Sequence, residues 1–209
     1  MNQVAEYLLR IKAVKLNNQN PFTWASGRKS PIYCDNRVTL SYPEVRTYIR
    51  DKFVEIIREK YADADVIAGV ATGGIAQGAL VAQILEKPFV YIRAEEKKHG
   101  MSNRIEGYIE AGQRVVVVED LVSTGKSSLF AVDALREANC EVLGMVAIFT
   151  YTLKTALENF EKANVKLDTL TTYPILLEQA VSGGYISESD LISLNEWSAD
   201  PVKWSNERM

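Results

Sequence analysis

Four consecutive valines, Val115-Val116-Val117-Val118, run directly into Glu119-Asp120-Leu121-Val122-Ser123-Thr124-Gly125-Lys126-Ser127. Valine is β-branched and stiff at χ1, so the run favours extended backbone. Successive side chains of a strand point to opposite faces, and a strand apolar at every position must therefore be covered on both. The apolar runs Val66 to Val70, Phe89 to Ile92 and Val142 to Tyr151 share this property. Helical stretches, Ile75 to Glu86 and about Ser127 to Ala138, stand between such runs. The pattern predicts an α/β fold, a doubly wound, mostly parallel sheet flanked by helices.

Upstream, Val4, Tyr7, Leu8, Ile11 and Val14 recur at helical spacing and predict an amphipathic helix over about residues 2 to 16. It ends at Asn17-Asn18-Gln19-Asn20-Pro21. The segment Phe22 to Arg37 mixes aromatic and β-prone residues with Gly and Pro, which predicts short strands joined by a turn. Ser41 with Glu44 makes a capping-box pattern, Pro43 suits a first helical turn, and Val45, Ile49, Phe53, Ile56 and Ile57 supply the stripe of a helix reaching about Lys60. Two tail helices are expected, one after Tyr173-Pro174 and one from Ser187, where Asp190 makes a second capping-box pattern. No repeat or low-complexity linker divides the chain. The expectation is one domain over residues 1–209: an N-terminal helix and appendage at 1–40, an α/β core at 41–170 and C-terminal helices at 171–209.

Hydrophobic residues at 47% and charged residues at 24% are enough to build a core. A net charge of -3 offers no global attraction to polyanions, so phosphate must be bound by a local site and nucleic acid is not an expected partner. No basic leader precedes an apolar segment and no apolar run is long enough to span a bilayer, so a soluble, cytoplasmic protein with no membrane partner is expected. Cys34 and Cys140 lack Cys-x-x-Cys spacing and read as reduced thiols. With a single histidine, the usual zinc sets cannot be assembled, while a hard cation on oxygen ligands remains open.

In open α/β sheets, ligands gather at the carboxyl ends of strands, where helix N-termini point N–H groups and a positive dipole end outward. Glu119 and Asp120 are expected at such an end, with Ser123-Thr124-Gly125 turning into the next helix. Gly125 allows close backbone approach, and the Ser123, Thr124 and Ser127 hydroxyls can add donors around a phosphate dianion. Adjacent carboxylates would repel that phosphate unless they faced something else, and a vicinal diol, which donates two hydrogen bonds, suits them. Helix capping and turn chemistry are the plain alternative for this acidic turn. A nucleotide P-loop is excluded, because it needs glycine five residues before Gly125 and Asp120 stands there. Val70-Ala71-Thr72-Gly73-Gly74-Ile75-Ala76 is a second strand end turning into a helix, without a dinucleotide fingerprint.

The run Val117 to Gly125 resembles the signature of the type I phosphoribosyltransferases: apolar strand, acidic pair, two apolar residues, then Ser/Thr-Thr/Ala-Gly. Phe22-Thr23-Trp24-Ala25-Ser26-Gly27-Arg28-Lys29-Ser30-Pro31-Ile32-Tyr33 resembles the N-terminal hood of the orotate phosphoribosyltransferases. Arg93-Ala94-Glu95-Glu96-Lys97-Lys98-His99-Gly100 resembles their mobile catalytic loop; taken alone it reads as a solvated charge run. The likeness spans roughly residues 20 to 150, and the joint order of its four segments makes it specific.

The resemblance implies transfer of a phosphoribosyl group from phosphoribosyl diphosphate to orotate, with Mg2+ on the diphosphate. It implies that Glu119 and Asp120 meet the ribose hydroxyls, that Leu121, Val122, Ser123, Thr124, Gly125, Lys126 and Ser127 hold the 5-phosphate, and that Thr72 and Gly73 lie on the diphosphate side. Arg93, Lys97 and His99 are the implied catalytic cations. Ser26, Gly27, Tyr33 and Ser123 are the implied orotate contacts, with Arg28, Lys29 or hood amides meeting the carboxylate. A homodimer is implied, with the basic loop acting as a lid that reaches the partner's site. Three departures stand out: Lys126 where the family often has glycine, and Ala25 and Gly73 where some members carry lysine. The matching arginine of some members after the fourth core strand also has no counterpart in Phe149 to Lys154. Rival readings are a transferase for another nucleobase and a non-catalytic regulator that senses phosphoribosyl diphosphate and binds nucleic acid.

Overall fold

The computed structural model describes residues 2–24, 26–93 and 104–208. Helix α1 (Gln3–Arg10) is followed by short strands β1 (Val14–Leu16), β2 (Phe22–Thr23), β3 (Lys29–Ser30) and β4 (Ile32–Cys34), then by a 3-10 turn at Asn36–Ser41. Helix α2 (Pro43–Lys60), β5 (Val66–Val70), α3 (Gly73–Leu85), β6 (Phe89–Ile92) and β7 (Ile105–Glu106) come next. The chain continues through β8 (Arg114–Val122), α4 (Lys126–Glu137), β9 (Glu141–Thr150), α5 (Lys154–Lys162) and β10 (Leu167–Thr172). It ends in α6 (Tyr173–Ser182), α7 (Asp190–Ala199) and α8 (Pro201–Asn206).

Six strands form the central sheet in the order β10-β9-β8-β5-β6-β7, parallel throughout except for the antiparallel pair β6/β7. The valine run lies at its middle, and its alternation separates two cores. Val116 and Val118 join Ile49 and Phe53 of α2 and Val81 of α3, whereas Val115 and Val117 join Ala131, Val132 and Leu135 of α4. The expected doubly wound α/β sheet is thus present.

The N-terminal segment forms two small antiparallel ribbons, β1 with β4 and β2 with β3. The tail braces it: the Lys29 N–H donates to Ser205 Oγ at 2.9 Å, and Trp24 meets Trp197 edge-on at 5.8 Å between ring centroids.

Several elements differ from the sequence reading. The first helix stops at Arg10, Lys12 takes a left-handed φ of 58°, and Val14 pairs with Cys34. Val14 fitted the helical stripe because it is buried, but it is buried as a strand residue. Ser41 ends the 3-10 turn and caps nothing; Tyr42 occupies the N-cap of α2 without a side-chain bond. The second capping pattern forms in part, with the Asp190 carboxylate accepting the Ser187 N–H at 3.0 Å and its hydroxyl at 2.7 Å. Strands β7 and β10 were not expected, and the tail holds three helices rather than two.

Gly74 sets the contact between α3 and β8, since a Cβ there would fall 2.4 Å from the Val118 carbonyl oxygen. Gly74→Ala is expected to destabilise the fold by about 2–3 kcal/mol, because strand backbone rather than a flexible side chain would have to yield. Urea unfolding at pH 7 measures this, and an unchanged midpoint would count against so close an approach.

Candidate active site

The sheet reverses direction of growth between β5 and β8, which is where open α/β sheets leave a crevice beyond their carboxyl ends. The register between them runs to Gly69↔Val118; β5 then turns away, while β8 stays paired with β9 as far as Val122↔Thr150. Glu119 and Asp120 therefore lie in the carboxyl-terminal part of the strand, where it is paired on one side only. The parting strands open a cleft of about 1330 Å³.

Gly125, at φ 78°, is the left-handed N-cap of α4, and a Cβ there would meet the Phe160 ring at 2.8 Å. Asn159 Nδ2 donates to the Thr124 carbonyl at 2.9 Å and pins the turn. The first N–H groups of α4, which no preceding turn can satisfy, are held at the cleft with the positive end of the helix dipole. Thr124, Lys126 and Ser127 are exposed along it.

The two carboxylates are differently placed. Glu119 is 3% exposed; its Oε1 accepts the Asp120 N–H at 2.9 Å and its Oε2 accepts the Ser128 hydroxyl at 2.9 Å. Burial, and then the neighbouring Asp120 charge, push Glu119 well above the usual carboxylate range. Asp120 is half-buried, with its carboxylate against Gly73, where a Cβ would lie 2.2–2.3 Å from the carboxylate atoms. Burial raises it too, opposed by a hydrogen bond with Glu119 and by the charge of Arg37. Its carbonyl accepts Asn36 Nδ2 at 2.6 Å. Any side chain at position 73, lysine included, would have to displace the Asp120 carboxylate.

Of the residues singled out from sequence, Thr72, Gly73, Glu119, Asp120, Leu121 and Ser123 line this cleft, as do Thr124, Gly125, Lys126 and Ser127. Val122 does not; it is fully buried beneath it. Arg93 lies at the end of β6, paired with Glu106 at 3.4 Å, and is not part of the lining. Lys97, His99 and Ala25, with the expected lid, lie outside the described residues.

A second pocket of about 260 Å³ adjoins the cleft, and Cys34, Leu121 and Ser123 line both. Tyr33 lines the small pocket. Ser26 and Gly27 do not, because the β2/β3 hairpin turns them out to solvent. Thr23, Trp24 and Tyr151 complete this pocket, and Asp35 and Arg37, joined through Arg37 Nε and Asp35 Oδ1 at 2.7 Å, stand on the rim of the cleft. Sequence reasoning missed these five as site residues. The signal for Tyr151 was its position just past a strand end; Asp35 and Arg37 sit in the polar run that follows β4. Among the described residues, no three His, Cys, Asp or Glu side chains converge to hold a metal, and no helix is long and apolar enough to cross a membrane.

Residues 41–172 match the phosphoribosyl transferase domain family. The chain is 56% identical to an orotate phosphoribosyltransferase of Phocaeicola vulgatus over 200 residues, 96% of this chain and 94% of that protein. It superposes on the crystal structure of orotate phosphoribosyltransferase from Aeropyrum pernix with a TM-score of 0.76 at 31% identity, covering 88% of this chain and 99% of that one. It also superposes on Leishmania donovani UMP synthase with a TM-score of 0.77 at 25% identity, where 93% of this chain spans 42% of the longer protein.

The raised Glu119 titration has a consequence for stability. A carboxyl held above its ordinary value favours the folded state while protonated, so its contribution is complete at acid pH and is lost as pH rises through the raised value. Glu119→Gln keeps the shape and removes the loss. Its melting temperature relative to the native protein should therefore climb by a few degrees between pH 5 and pH 9, whereas parallel curves would mean that Glu119 titrates normally.

Proposed function

The chain belongs to the phosphoribosyltransferase family, and we propose that it transfers the 5-phosphoribosyl group of phosphoribosyl diphosphate to orotate, giving orotidine 5′-phosphate and diphosphate in pyrimidine biosynthesis. The observation that carries this reading is the 56% identity with an orotate phosphoribosyltransferase across 96% of the chain, hood segment included. The geometry supports it: the N-terminal segment helps to line a pocket with room for a single base, adjoining a larger cleft with ample room for phosphoribosyl diphosphate.

In the proposed reaction a ring nitrogen of orotate forms a bond to the anomeric carbon, and the bond from that carbon to the diphosphate oxygen breaks, the electron pair leaving with diphosphate. The ribose ring becomes positive and the leaving group negative, so positioning and electrostatic stabilisation supply the catalysis. The N–H groups and hydroxyls from Ser123 to Ser127 grip the 5-phosphate. Asp120, with Glu119 behind it, faces the ribose hydroxyls and the charge that develops on the ring. Thr72 and Gly73 lie toward the diphosphate. Mg2+ would supply charge neutralisation on the diphosphate; with no protein cage among the described residues, substrate oxygens would hold it, with Asp120 the half-buried carboxylate on the cleft. From the resemblance, Arg93, Lys97 and His99 are proposed to neutralise the departing diphosphate, and the enzyme is proposed to be a cytoplasmic homodimer.

An orotate absorbance assay with phosphoribosyl diphosphate and Mg2+ tests the reading. Turnover is expected with orotate and not with adenine, hypoxanthine, uracil or xanthine; turnover of a purine and none of orotate would end it. Asp120→Asn should lower kcat/KM by about 100-fold or more, and Lys97→Ala should lower kcat by a similar factor. Unchanged turnover in the lysine variant would remove that residue from the chemistry.

A further inference from the structure

Tyr151 follows β9 directly, and its N–H donates to the Val122 carbonyl at 3.1 Å, which fixes it beside the end of β8 and next to Ser123. It is 2% exposed. Its ring is clamped by Phe149, Trp197 and Trp24, with centroids at 5.2, 5.4 and 5.7 Å. Two polar aromatics packed on it have their polar atoms satisfied internally: Trp24 Nε1 donates to the Ile32 carbonyl and the Tyr173 hydroxyl to the Leu194 carbonyl, each at 3.1 Å. The Tyr151 hydroxyl has no hydrogen-bond partner among the described residues, although the residue lines the 260 Å³ pocket.

The Tyr151 hydroxyl is not among the polar atoms sealed from solvent without a partner, so it is open to the pocket whose lining the residue shares with Cys34 and Tyr33. Burial, with these neighbours, pushes its titration well above the ordinary phenol value, so it holds its proton and can donate it. Ser123 stands where this pocket meets the cleft, and three other polar groups around the pocket are less suited. Cys34 Sγ already donates to Asn36 Oδ1 at 3.3 Å, Thr23 Oγ1 accepts Lys29 Nζ at 2.9 Å, and Tyr33 is 40% exposed. A donor held rigidly at the wall of a pocket and bonded to nothing in the fold is free to bond a ligand that enters.

We infer that the Tyr151 hydroxyl is the donor that recognises an acceptor oxygen of the pyrimidine, and so determines base binding in this pocket. The inference rests on the transferase reading above, to which it adds a specificity-determining residue. A rigid donor of this kind discriminates strongly, since a base lacking the matching oxygen leaves it unpaired.

Tyr151→Phe removes one oxygen and keeps the ring. Steady-state kinetics should show KM for orotate raised about 10-fold or more, with KM for phosphoribosyl diphosphate within about 2-fold of native. Without substrate, the variant should melt at or near the native temperature, because the hydroxyl it loses makes no bond within the described fold. Tyr173→Phe is the control: its hydroxyl is bonded within the fold, so the variant should melt lower with an unchanged orotate KM. An orotate KM unchanged in Tyr151→Phe, or a melting temperature several degrees below native, would overturn the inference. Failure of the native protein to turn over orotate would instead overturn the transferase reading itself.

Discussion

Helix α3 can lie against the end of β8 because neither residue at its start carries a Cβ. At Gly74 that atom would press on the Val118 carbonyl, and at Gly73 on the Asp120 carboxylate. This approach places the N-terminus of α3 and the N-terminus of α4 on the same cleft, with Asp120 between them. Two positive helix ends then share one carboxylate, and the charge of Arg37 on the rim acts in the same direction. Glu119 is held out of that field by Ser128 and by the Asp120 N–H. Both carboxyls are raised, Glu119 the more strongly, and protonation of one relieves the repulsion that two adjacent carboxylates would otherwise impose.

The base pocket depends on segments far apart in the chain. Trp24 comes from the N-terminal ribbon, Tyr151 from the end of β9, and Trp197 and Ser205, which brace them, from the tail helices. The tail is thus part of what positions the pocket although it does not line it. Asn36 ties the same N-terminal region to the Asp120 carbonyl, so the small pocket and the cleft are held in register by one buried amide.

Legibility followed burial and backbone chemistry. Val115 to Val118 could be read because a strand covered on both faces leaves no polar position, and Gly125 because the left-handed φ it adopts strongly favours glycine. Strand β10 was not, since Leu-Asp-Thr-Leu-Thr-Thr sits at the sheet edge, half-buried, with no apolar run to mark it. The end of α1 was hidden by Val14, whose burial fits a helix and a strand equally well. Ser26 and Gly27 belong to a recognisable segment, yet the hairpin that the segment forms presents Thr23 and Trp24 inward instead. Tyr151 lay in a legible strand run, but its orientation is set by aromatic partners drawn from both ends of the chain.

The two ends of the site also recognise their ligands by different means. Among the described residues lining the cleft, the cations are Arg37 and Lys126. Asp35 engages Arg37 in a paired hydrogen bond, so much of that charge is already matched. Lys126 is exposed at the first position of α4, one residue past Gly125, and adds its charge to the helix terminus rather than replacing it. In the proposed reaction a phosphate there would be met first by backbone N–H groups, which are fixed in number and direction by the turn and carry no information about the base. That information would reside in side chains on the far side of Ser123, where the shape of the pocket and the Tyr151 hydroxyl would act together. Ser123, shared by both spaces, is therefore where the proposed grip on the sugar phosphate meets the proposed contact with the base.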